Sequence, residues 1–459
     1  MRLSALVAAL VVAWLPAASA WAAPPSSAQI ARQAEAALGQ AATVDGPGAV
    51  VLIARGDAVI YRGALGRANL ELGVPLAPDQ TFRIASVTKM FTAATVLNLA
   101  AAGKLSLDDK LATYVPDIAH GDQITLRQLL NHTAGVSDIV HTITPGFSRR
   151  DVDTATLITE IRQRPAAFAP GTQWSYSNAG FILLGAVIEK VTGKAWYDAE
   201  QEAVIAPLGL KHTAYGASGP IIPGRAAGYT SDNPTRTVRN ASYISASIPA
   251  AAGGLLSTAD DLKTWMRALV TGRLLGKAGF AAMTTPGDVA PSGPHRYGLG
   301  LYLWQVRGAS MIGHTGQIDG FASMVAYLPD QDVTIVVLAN DDEFDAQTLG
   351  RRLAAIAVGQ PYAVVAPVTP SAADLTTLAG TYRFADGVIE TLSVKDGQLY
   401  AQRGSRNVIP LQMSADHRLY FKPDELTFFV PVRDAAGRVT RLDYYARGDG
   451  PAQAVTRTP

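Results

Sequence analysis

The chain of 459 residues contains no cysteine. Disulfide bonds, zinc–thiolate sites, iron–sulfur clusters and cysteine nucleophiles are therefore excluded. An excess of charge of one sign is also missing, because 39 Lys and Arg residues face 38 Asp and Glu residues and leave a formal net charge of +1. Nucleic-acid-binding proteins usually carry a basic excess, so we expect no nucleic-acid partner.

Several motifs of catalysis and cofactor binding are absent as well. The sequence has no Gly-x-Ser-x-Gly, which argues against an α/β-hydrolase. It has no His-Glu-x-x-His and no glycine-rich phosphate or dinucleotide loop. We therefore expect no metal site and no organic cofactor.

Long apolar runs are scarce, and the clearest one stands at the N-terminus. Residues 5–15 are uninterruptedly apolar, follow Arg2 and precede a stretch of small residues. Eleven residues are too few to span a bilayer, which needs roughly 20. The pattern predicts a secretory signal peptide over residues 1–22, and thus a periplasmic or secreted protein without a stable membrane anchor after cleavage.

The remaining chain has the composition of a globular protein, with 48% apolar and 17% charged residues. Helical and strand-like segments mix over residues 23–360, which indicates an α+β domain. Residues 361–373 are rich in Pro, Ala and Val and are predicted to form a linker. Short alternating runs separated by Asp-Gly turns over residues 374–459 predict a small all-β, barrel-like domain.

Local patterns place individual elements within the first domain. Two β-rich runs flanking Arg55-Gly56-Asp57 predict a hairpin over Ala49–Tyr61. Ser257 is expected to cap a helix over Thr258–Leu269. Further helices are predicted over Ser86–Ala102, Asp151–Arg164, Gly180–Gly193 and Gln347–Val358, and strands over Tyr297–Val306, Met324–Tyr327 and Thr334–Leu338.

Ser86 and Lys89 form the Ser-x-x-Lys of this chain, at the start of a predicted helix. Positions i and i+3 share a helix face, so the two side chains can meet. A serine hydroxyl is a weak nucleophile that needs a base, and burial can lower the pKa of a lysine enough for it to serve. Taken alone, the pair is more often a helix cap and a solvated lysine.

Two further segments carry polar groups at positions that suit catalysis. Tyr176 and Asn178 lie in a loop before an apolar helix, where a phenol can pass a proton and an amide can hold a carbonyl. His314-Thr315-Gly316-Gln317 lies near a predicted strand edge, where glycine allows a close approach to the backbone. Taken alone, the first segment is better explained as a turn and the second as a core histidine beside a bulge.

The three motifs together resemble the serine β-lactamase and penicillin-binding protein (DD-peptidase) superfamily, in which Ser-x-x-Lys carries the nucleophile. The order Ser-x-x-Lys, Tyr-x-Asn, His-Thr-Gly is that of the class C-like branch with its esterases and D-aminopeptidases. The resemblance runs from about residue 30 to residue 358, with further likeness in LLNHTAGV and AAGGLLSTADDL. It implies an antiparallel sheet flanked by helices with a helical subdomain. Residues 374–459 resemble, more weakly, the lipocalin-like domain of some relatives.

The resemblance also implies catalytic roles. Ser86 would attack a carbonyl and become acylated, and Lys89 would act as base or proton relay. Tyr176 would protonate the leaving group and later activate water, and Asn178 would hold the substrate amide. Whether Lys89 or Tyr176 is the acylation base stays open.

The third motif would line the other side of the cleft. By resemblance, Thr315 and Gly316 bind substrate, and the backbone N–H groups of Ser86 and Gln317 form the oxyanion hole. His314 stands where many relatives carry lysine, so a fixed positive charge is replaced by a group that can be neutral at pH 7. This departure weakens the case for anchoring the carboxylate of a β-lactam.

The sequence therefore predicts a serine hydrolase that cleaves amide or ester bonds through an acyl-enzyme. A peptidase of D-aminopeptidase or DD-carboxypeptidase type, or an esterase, is the first hypothesis. A β-lactamase and a catalytically silent protein that binds peptidoglycan or another ligand are the alternatives. The expected partners are small peptides, esters or β-lactams, and the oligomeric state stays open.

Overall fold

The computed structural model of the chain describes residues 25–140, 143–232, 237–291, 295–422 and 424–458. The signal peptide predicted over residues 1–22 lies outside these residues. Across the described ranges, no helix combines the length and the apolar character needed to cross a membrane.

The helices are numbered in chain order. They are α1 Ser27–Ala41, α2 Thr88–Ala101, α3 Leu126–Leu130, α4 Pro145–Ser148, α5 Thr154–Arg162, α6 Asn178–Thr192, α7 Trp196–Glu200, α8 Ala206–Leu208, α9 Ala259–Val270, α10 Gly276–Thr284, α11 Ala346–Val358 and α12 Ala372–Leu378. A π-helical segment, Gln201–Ile205, links α7 to α8, and a short 3₁₀ turn, Ala85–Val87, leads into α2.

The strands are numbered in the same way. They are β1 Ala49–Arg55, β2 Ala58–Leu65, β3 Arg67–Asn69, β4 Val74–Pro75, β5 Phe82–Arg83, β6 Ala214–Tyr215, β7 Tyr229–Asp232, β8 Thr237–Asn240, β9 Leu255–Ser257, β10 Arg296–Tyr297, β11 Tyr302–Val306, β12 Ala309–Ile318, β13 Phe321–Leu328, β14 Val333–Ala339, β15 Pro367–Val368, β16 Gly380–Arg383, β17 Ile389–Lys395, β18 Gln398–Arg403, β19 Ile409–Ser414, β20 Leu419–Phe421, β21 Asp424–Arg433, β22 Val439–Tyr445 and β23 Gln453–Arg457.

The first domain is built on an antiparallel sheet in the order β10-β11-β12-β13-β14-β1-β2. Strand β1, which lies next to the edge strand β2, has both faces buried. Val50 and Leu52 join the core under α2, α6 and α9, whereas Val51 and Ile53 join the core under α1 and α11. Side chains alternate between the faces of a strand. A strand covered on both faces therefore reads as an unbroken apolar run, as it does here.

Helix α2 runs through the centre of the larger core and carries the Ser-x-x-Lys motif at its N-terminal end. Its residues are buried from Thr88 to Leu97. Phe91 stacks on Trp265 of α9 with ring centroids 4.0 Å apart. Such packing on all sides holds the helix rigidly and thereby positions the residues at its start.

The C-terminal domain is a closed antiparallel barrel of β16 to β23, completed by pairing of β19 with β20. Its interior is filled by side chains that include Tyr382, Leu411 and Phe429. Strand β15, which lies within the segment predicted as linker, adds to the barrel through β19. Asp449, between β22 and β23, is held by the guanidinium of Arg351 on α11.

The predicted α+β fold and C-terminal barrel are confirmed. The hairpin at Arg55–Asp57 is present, and Gly56 takes a positive φ of 57° in its turn. The expected cap of α9 is wrong by one residue. Thr258 caps the helix, accepting a hydrogen bond from the N–H of Asp261 at 3.3 Å. Ser257 lies in β9 instead, and its hydroxyl is bonded to that of Thr213 at 2.8 Å.

Candidate active site

Ser86 lies in the 3₁₀ turn that leads into α2. It is one of the residues that line a cleft. The residue before it, Ala85, has a positive φ of 46°, a conformation that costs a non-glycine residue on the order of 1–3 kcal/mol. The turn is fastened on its other side by the N–H of Ile84, which donates to the carbonyl of Leu255 at 3.1 Å. The half-buried hydroxyl of Ser86 is thus presented at a defined point of the cleft.

Lys89 is completely buried one turn after Ser86. Its Nζ lies 3.0 Å from Ser86 Oγ, 2.8 Å from Asn178 Oδ1 and 2.8 Å from the carbonyl oxygen of Ala252. Burial lowers the pKa of Lys89 from 10.5 to about 7, because it removes the ammonium from water. A nearby carboxylate, Asp138, opposes this effect.

These three contacts suit the neutral form of the lysine. A neutral amine has two N–H bonds and one lone pair. The carbonyl groups of Asn178 and Ala252 can only accept, so they take up the two N–H groups of Lys89. The lone pair is then left to face the hydroxyl of Ser86, which is the arrangement that a general base requires.

Asn178 is the first residue of α6, and Ser177 caps the helix by accepting from the N–H of Gly180 at 3.2 Å. The backbone N–H of Ser177 donates to Nδ1 of the buried His132 at 3.2 Å. Burial lowers the pKa of His132 well below its ordinary value. The neutral ring packs against the ring of Tyr176, with centroids 4.4 Å apart. His132 therefore supports the turn through its hydrogen bond to Ser177 and through its contact with Tyr176.

Tyr176 lies beside both the lysine and the nucleophile. Its ring centroid is 4.7 Å from Lys89 Nζ, and its hydroxyl interacts with the side chain of Ser86. Burial raises the pKa of Tyr176 well above 10. The phenol therefore keeps its proton at neutral pH, which suits a proton donor and not the base.

His314 lies on β12 and is buried behind the cleft. Its Nε2 is 3.0 Å from the hydroxyl of Tyr297, and its Nδ1 is 2.5 Å from the carbonyl oxygen of Thr315. Burial lowers the pKa of His314 to about 3, with the charge of Lys89 as the second cause. The imidazole is neutral at pH 7, so this position supplies no fixed positive charge.

Gly316 brings β12 against the turn that holds the nucleophile. A Cβ at this position would lie 2.3 Å from the carbonyl oxygen of Ile84 and 3.0 Å from the nitrogen of Ser86. The close approach that glycine was expected to permit is therefore made by the backbone of the protein itself. Thr315 and Gly316 also line the cleft.

The edge of β12 beside Ser86 faces the cleft. In the described part of the chain, pairing with β11 ends at Gly313. Ile318 and Phe321 close the hairpin to β13, and Gln317 is opposite Ala322. Pairs alternate in hydrogen bonding along an antiparallel ladder, and the pair that closes a two-residue turn is hydrogen-bonded. The N–H of Gln317 therefore points away from β13, toward the cleft.

The cleft has a volume of about 530 Å³, which is within the range of small-molecule sites. Three carboxylate residues, Asp342, Glu343 and Asp345, line its rim, and none of its described lining residues is lysine or arginine. No group of three or more acidic or histidine residues suited to a metal ion occurs in the described ranges. The charged side chains that line the cleft, among those described, are thus carboxylates, and Glu343 and Asp345 are exposed.

Sequence reasoning missed several groups at this site. Asp138 accepts a hydrogen bond from Nδ2 of Asn178 at 2.8 Å, and the carbonyl of Ala252 holds Lys89. The segments LLNHTAGV and AAGGLLSTADDL were the available signals, because Asp138 follows the first by two residues and Ala252 belongs to the second. The acidic rim had no sequence signal apart from three carboxylates after a predicted strand.

Comparison with known proteins places this geometry in a family. A family model described as Beta-lactamase matches residues 32–358. Penicillin-binding protein 4* of Bacillus subtilis (strain 168) is 25% identical over 433 residues, covering 89% of this chain and 94% of that protein. Esterase EstB of Burkholderia gladioli is 35% identical over 189 residues, covering 38% and 48% of the two chains.

A solved structure agrees with these matches. The D-stereospecific amidohydrolase from Streptomyces sp. is 32% identical, covers 71% of this chain and 97% of its own, and superposes with a TM-score of 0.62. The family model alone spans more than two thirds of the sequence. The chain therefore belongs to the Beta-lactamase family and is a serine hydrolase of the β-lactamase and penicillin-binding protein superfamily.

Proposed function

We propose that this protein is a D-stereospecific amidase or aminopeptidase, which cleaves small amide substrates carrying a free amine through an acyl-enzyme on Ser86. The observation that carries the proposal is a buried lysine whose Nζ lies 3.0 Å from Ser86 Oγ, beside a cleft whose charged lining side chains, among those described, are all carboxylates.

Acylation follows from the contacts of the site. The lone pair of Lys89 takes the hydroxyl proton of Ser86 while Oγ attacks the substrate carbonyl. The N–H groups of Ser86 and Gln317 bind the oxyanion, and each such donor is worth about 3 kcal/mol. Tyr176 then gives its proton to the leaving nitrogen as the C–N bond breaks, and Lys89 returns the proton that restores the phenol.

Deacylation uses the same groups in reverse. A water molecule attacks the ester carbonyl and loses its proton through Tyr176 to Lys89, and the Ser86 oxygen leaves with the proton that Lys89 then returns to it. Asn178, which lines the cleft, would hold the amide of the substrate. His314, Thr315 and Gly316 would shape the opposite wall.

The charge of the cleft sets the expected substrate class. A β-lactam or a peptide with a free C-terminus brings a carboxylate, and the described lining offers it no cation while Asp342, Glu343 and Asp345 repel it. A substrate with a free ammonium group meets an attractive rim. This favours the amidase and aminopeptidase hypotheses over the β-lactamase and DD-carboxypeptidase ones.

The stereochemical part of the proposal is supported by the Streptomyces relative, a D-stereospecific amidohydrolase that is 32% identical. An esterase activity is supported by the likeness to EstB over 189 residues. Esters are also the easier chemical test for a serine acyl-enzyme, because their leaving group needs no proton. We therefore expect activated esters to be turned over as a secondary activity.

The test is hydrolysis of D-alanine p-nitroanilide, compared with its L-enantiomer and with its N-acetyl and N-succinyl derivatives. We expect the free D-amine to be preferred by at least about 10-fold over the N-acetyl form, and the anionic N-succinyl form to be slowest. Ser86→Ala should lower kcat by at least ~10³-fold. The exposed barrel residue Ser405 provides the control, because Ser405→Ala should leave the rate unchanged.

Two results would overturn the proposal. One is a rate that survives Ser86→Ala. The other is faster turnover of the N-succinyl substrate or of benzylpenicillin than of the free amine. Intact mass of the protein with benzylpenicillin over time separates the alternatives, since a long-lived Ser86 adduct indicates a penicillin-binding peptidase and rapid drug turnover indicates a β-lactamase.

The processing and domain boundaries belong to the proposal as well. A signal peptide over residues 1–22 would direct the enzyme to the periplasm or the medium. Residues 23–360 would form the catalytic domain, 361–373 the linker and 374–459 the barrel domain. N-terminal sequencing of the exported protein and limited proteolysis test these boundaries.

A further inference from the structure

Asp138 lies in the loop between α3 and α4, at the rear of the catalytic turn. Its Oδ2 accepts a hydrogen bond from Nδ2 of Asn178 at 2.8 Å. Oδ1 of the same asparagine accepts from Lys89 Nζ at 2.8 Å, and Lys89 Nζ is 3.0 Å from Ser86 Oγ. A continuous chain of hydrogen bonds therefore connects the carboxylate to the nucleophile.

The carboxylate itself is anchored by the backbone. Oδ1 of Asp138 accepts from the N–H of Ile139 at 2.8 Å and from that of Val140 at 3.3 Å. Ile139 is fully buried, so the loop is tied to the core immediately after the aspartate. The other oxygen is thus held at a defined place, facing Asn178.

An asparagine side chain can be reversed at little steric cost, because its oxygen and its NH₂ group have almost the same shape. A carboxylate removes that freedom, since an ionised carboxylate only accepts hydrogen bonds. With Asp138 in place, the NH₂ group of Asn178 must face the carboxylate and the oxygen must face Lys89.

The orientation of this amide decides where the lone pair of Lys89 points. When Oδ1 of Asn178 and the carbonyl of Ala252 take the two N–H groups of the neutral lysine, the lone pair faces Ser86. With a reversed amide, an N–H of Asn178 would compete for the lone pair. The serine hydroxyl would then lose its proton acceptor.

Resting on the proposed function, we infer that Asp138 is a positioning residue, which fixes the amide of Asn178 and so keeps the lone pair of Lys89 directed at Ser86. Its side-chain hydrogen bonds go to Asn178 and to the backbone N–H groups of Ile139 and Val140. We therefore expect it to act on the reaction through Asn178 and through its charge.

The charge of Asp138 affects the pKa of Lys89, which a purely structural residue would leave unchanged. The titratable groups around Lys89 are, besides Asp138, the buried His132, Tyr176 and His314, and beyond Thr92 the buried Glu200. The pKa of both histidines is lowered and that of Tyr176 and Glu200 is raised, so all four are neutral at pH 7. Asp138 is the group whose negative charge raises the pKa of Lys89.

The experiment is the pH profile of kcat and KM for Asp138→Asn, with D-alanine p-nitroanilide as substrate. We expect kcat to fall about 10- to 100-fold, the range for a misplaced catalytic group, with KM little changed. The acid limb, which reports deprotonation of Lys89 near pH 7 in the wild type, should move to lower pH, because the ammonium loses its neighbouring negative charge.

A matched control is Asp109→Asn. Asp109 also ties down a loop, accepting from the N–H of Ser106 at 2.7 Å and from the hydroxyl of Tyr114 at 2.6 Å, but it is not linked to Lys89. This variant should leave kcat within about 2-fold and the acid limb in place. A wild-type profile for Asp138→Asn, or an equal shift in the control, would overturn the role of Asp138.

Two further variants keep the test decisive if Asp138→Asn folds poorly. Asp138→Glu keeps the charge, and Asp138→Ser keeps an acceptor for the backbone but has no charge. Of these two variants, we expect only Asp138→Ser to shift the acid limb to lower pH. Equal acid limbs in Asp138→Glu and Asp138→Ser would refute the inference. A rate that survives Ser86→Ala refutes the proposed function instead, whereas a Ser86-dependent rate that is insensitive to Asp138 refutes only the present inference.

Discussion

Two buried basic side chains, one at the catalytic centre and one at the junction with the barrel, have different surroundings in this fold. Lys89 is fully buried and bonded to three uncharged oxygens. Arg351 of α11 is also buried, but it forms an ion pair with Asp449, which further accepts from the N–H of Arg307 at 2.9 Å. Burial among uncharged groups lowers the pKa of Lys89 to about 7, whereas Asp449 balances the positive charge of Arg351.

The difference distinguishes a catalytic from a structural use of a buried basic side chain. Desolvation without a directly bonded counter-ion makes an amine titratable near neutral pH, so its proton can be transferred. A buried charge that is paired and hydrogen-bonded is instead a structural element, whose removal leaves the partner uncompensated. Lysine suits the first task and arginine the second, because a guanidinium stays protonated.

The largest expected effect is that of replacing the catalytic lysine by an arginine. Lys89→Arg keeps the positive charge but removes the lone pair, so we expect kcat/KM to fall at least ~10³-fold. Steady-state kinetics with the amide substrate measure the loss. The exposed Lys104 is the control, since Lys104→Arg should leave kcat/KM unchanged. A Lys89→Arg enzyme with more than a tenth of wild-type activity would exclude Lys89 as the base.

The second effect concerns the junction. Arg351→Met leaves Asp449 buried without its counter-ion, and we expect about 3 kcal/mol lower stability, as for other broken buried pairs. The neighbouring Arg352 pairs with the half-exposed Glu425 at 2.9 Å. Arg352→Met should therefore cost at most about 1 kcal/mol.

Urea unfolding of the two arginine variants, with kcat/KM measured below the transition, checks this prediction. Activity of the folded Arg351→Met protein should be close to that of the wild type, because the pair lies away from the cleft. Equal destabilisation by the two substitutions would contradict the distinction between the buried and the exposed pair.

The smallest effect concerns Glu200, a buried acid with no counter-ion. Burial raises the pKa of Glu200 from 4.5 to about 8, and its Oε2 accepts from the hydroxyl of Thr92 at 3.3 Å. The folded protein therefore holds this proton more tightly than the unfolded chain, and stability from this group falls as pH rises from about 4.5 toward 8. Glu200→Gln should remove that loss.

Thermal melting at pH 5 and pH 8 tests the sign. We expect Glu200→Gln to match the wild type at pH 5 and to be the more stable protein at pH 8. Glu202→Gln, two residues further along the chain and exposed, should track the wild type apart from its surface pair with Lys194. A Glu200→Gln curve parallel to that of the wild type would show that the carboxyl is ionised in the folded state.

Local sequence patterns predicted most elements near the site. The apolar helix after Ser86, the hairpin turn at Gly56 and the strands that became β13 and β14 depend on periodicity and turn chemistry, which act over a few residues. The cap of α9 was misplaced because Ser257 and Thr258 are equivalent by residue type. Pairing of Ser257 with Thr213, a contact distant in sequence, decided between them.

The site could be anticipated only where its residues lie close together in the sequence. Ser86 and Lys89 are linked by helix geometry, and Tyr176 and Asn178 by a single turn. Asp138 and the carbonyl of Ala252 approach Lys89 from segments far along the chain, so no local pattern marks them.

By itself, the sequence determined the order of helices and strands, the barrel at the C-terminus and the nucleophile motif, because these follow from short-range periodicity and spacing. Tertiary structure alone decided that Lys89 is buried away from water, that Asn178 turns its oxygen toward Lys89, and that carboxylates line the cleft. Desolvation and hydrogen-bond orientation are properties of what surrounds a group, and those surroundings exist only once distant segments have packed together.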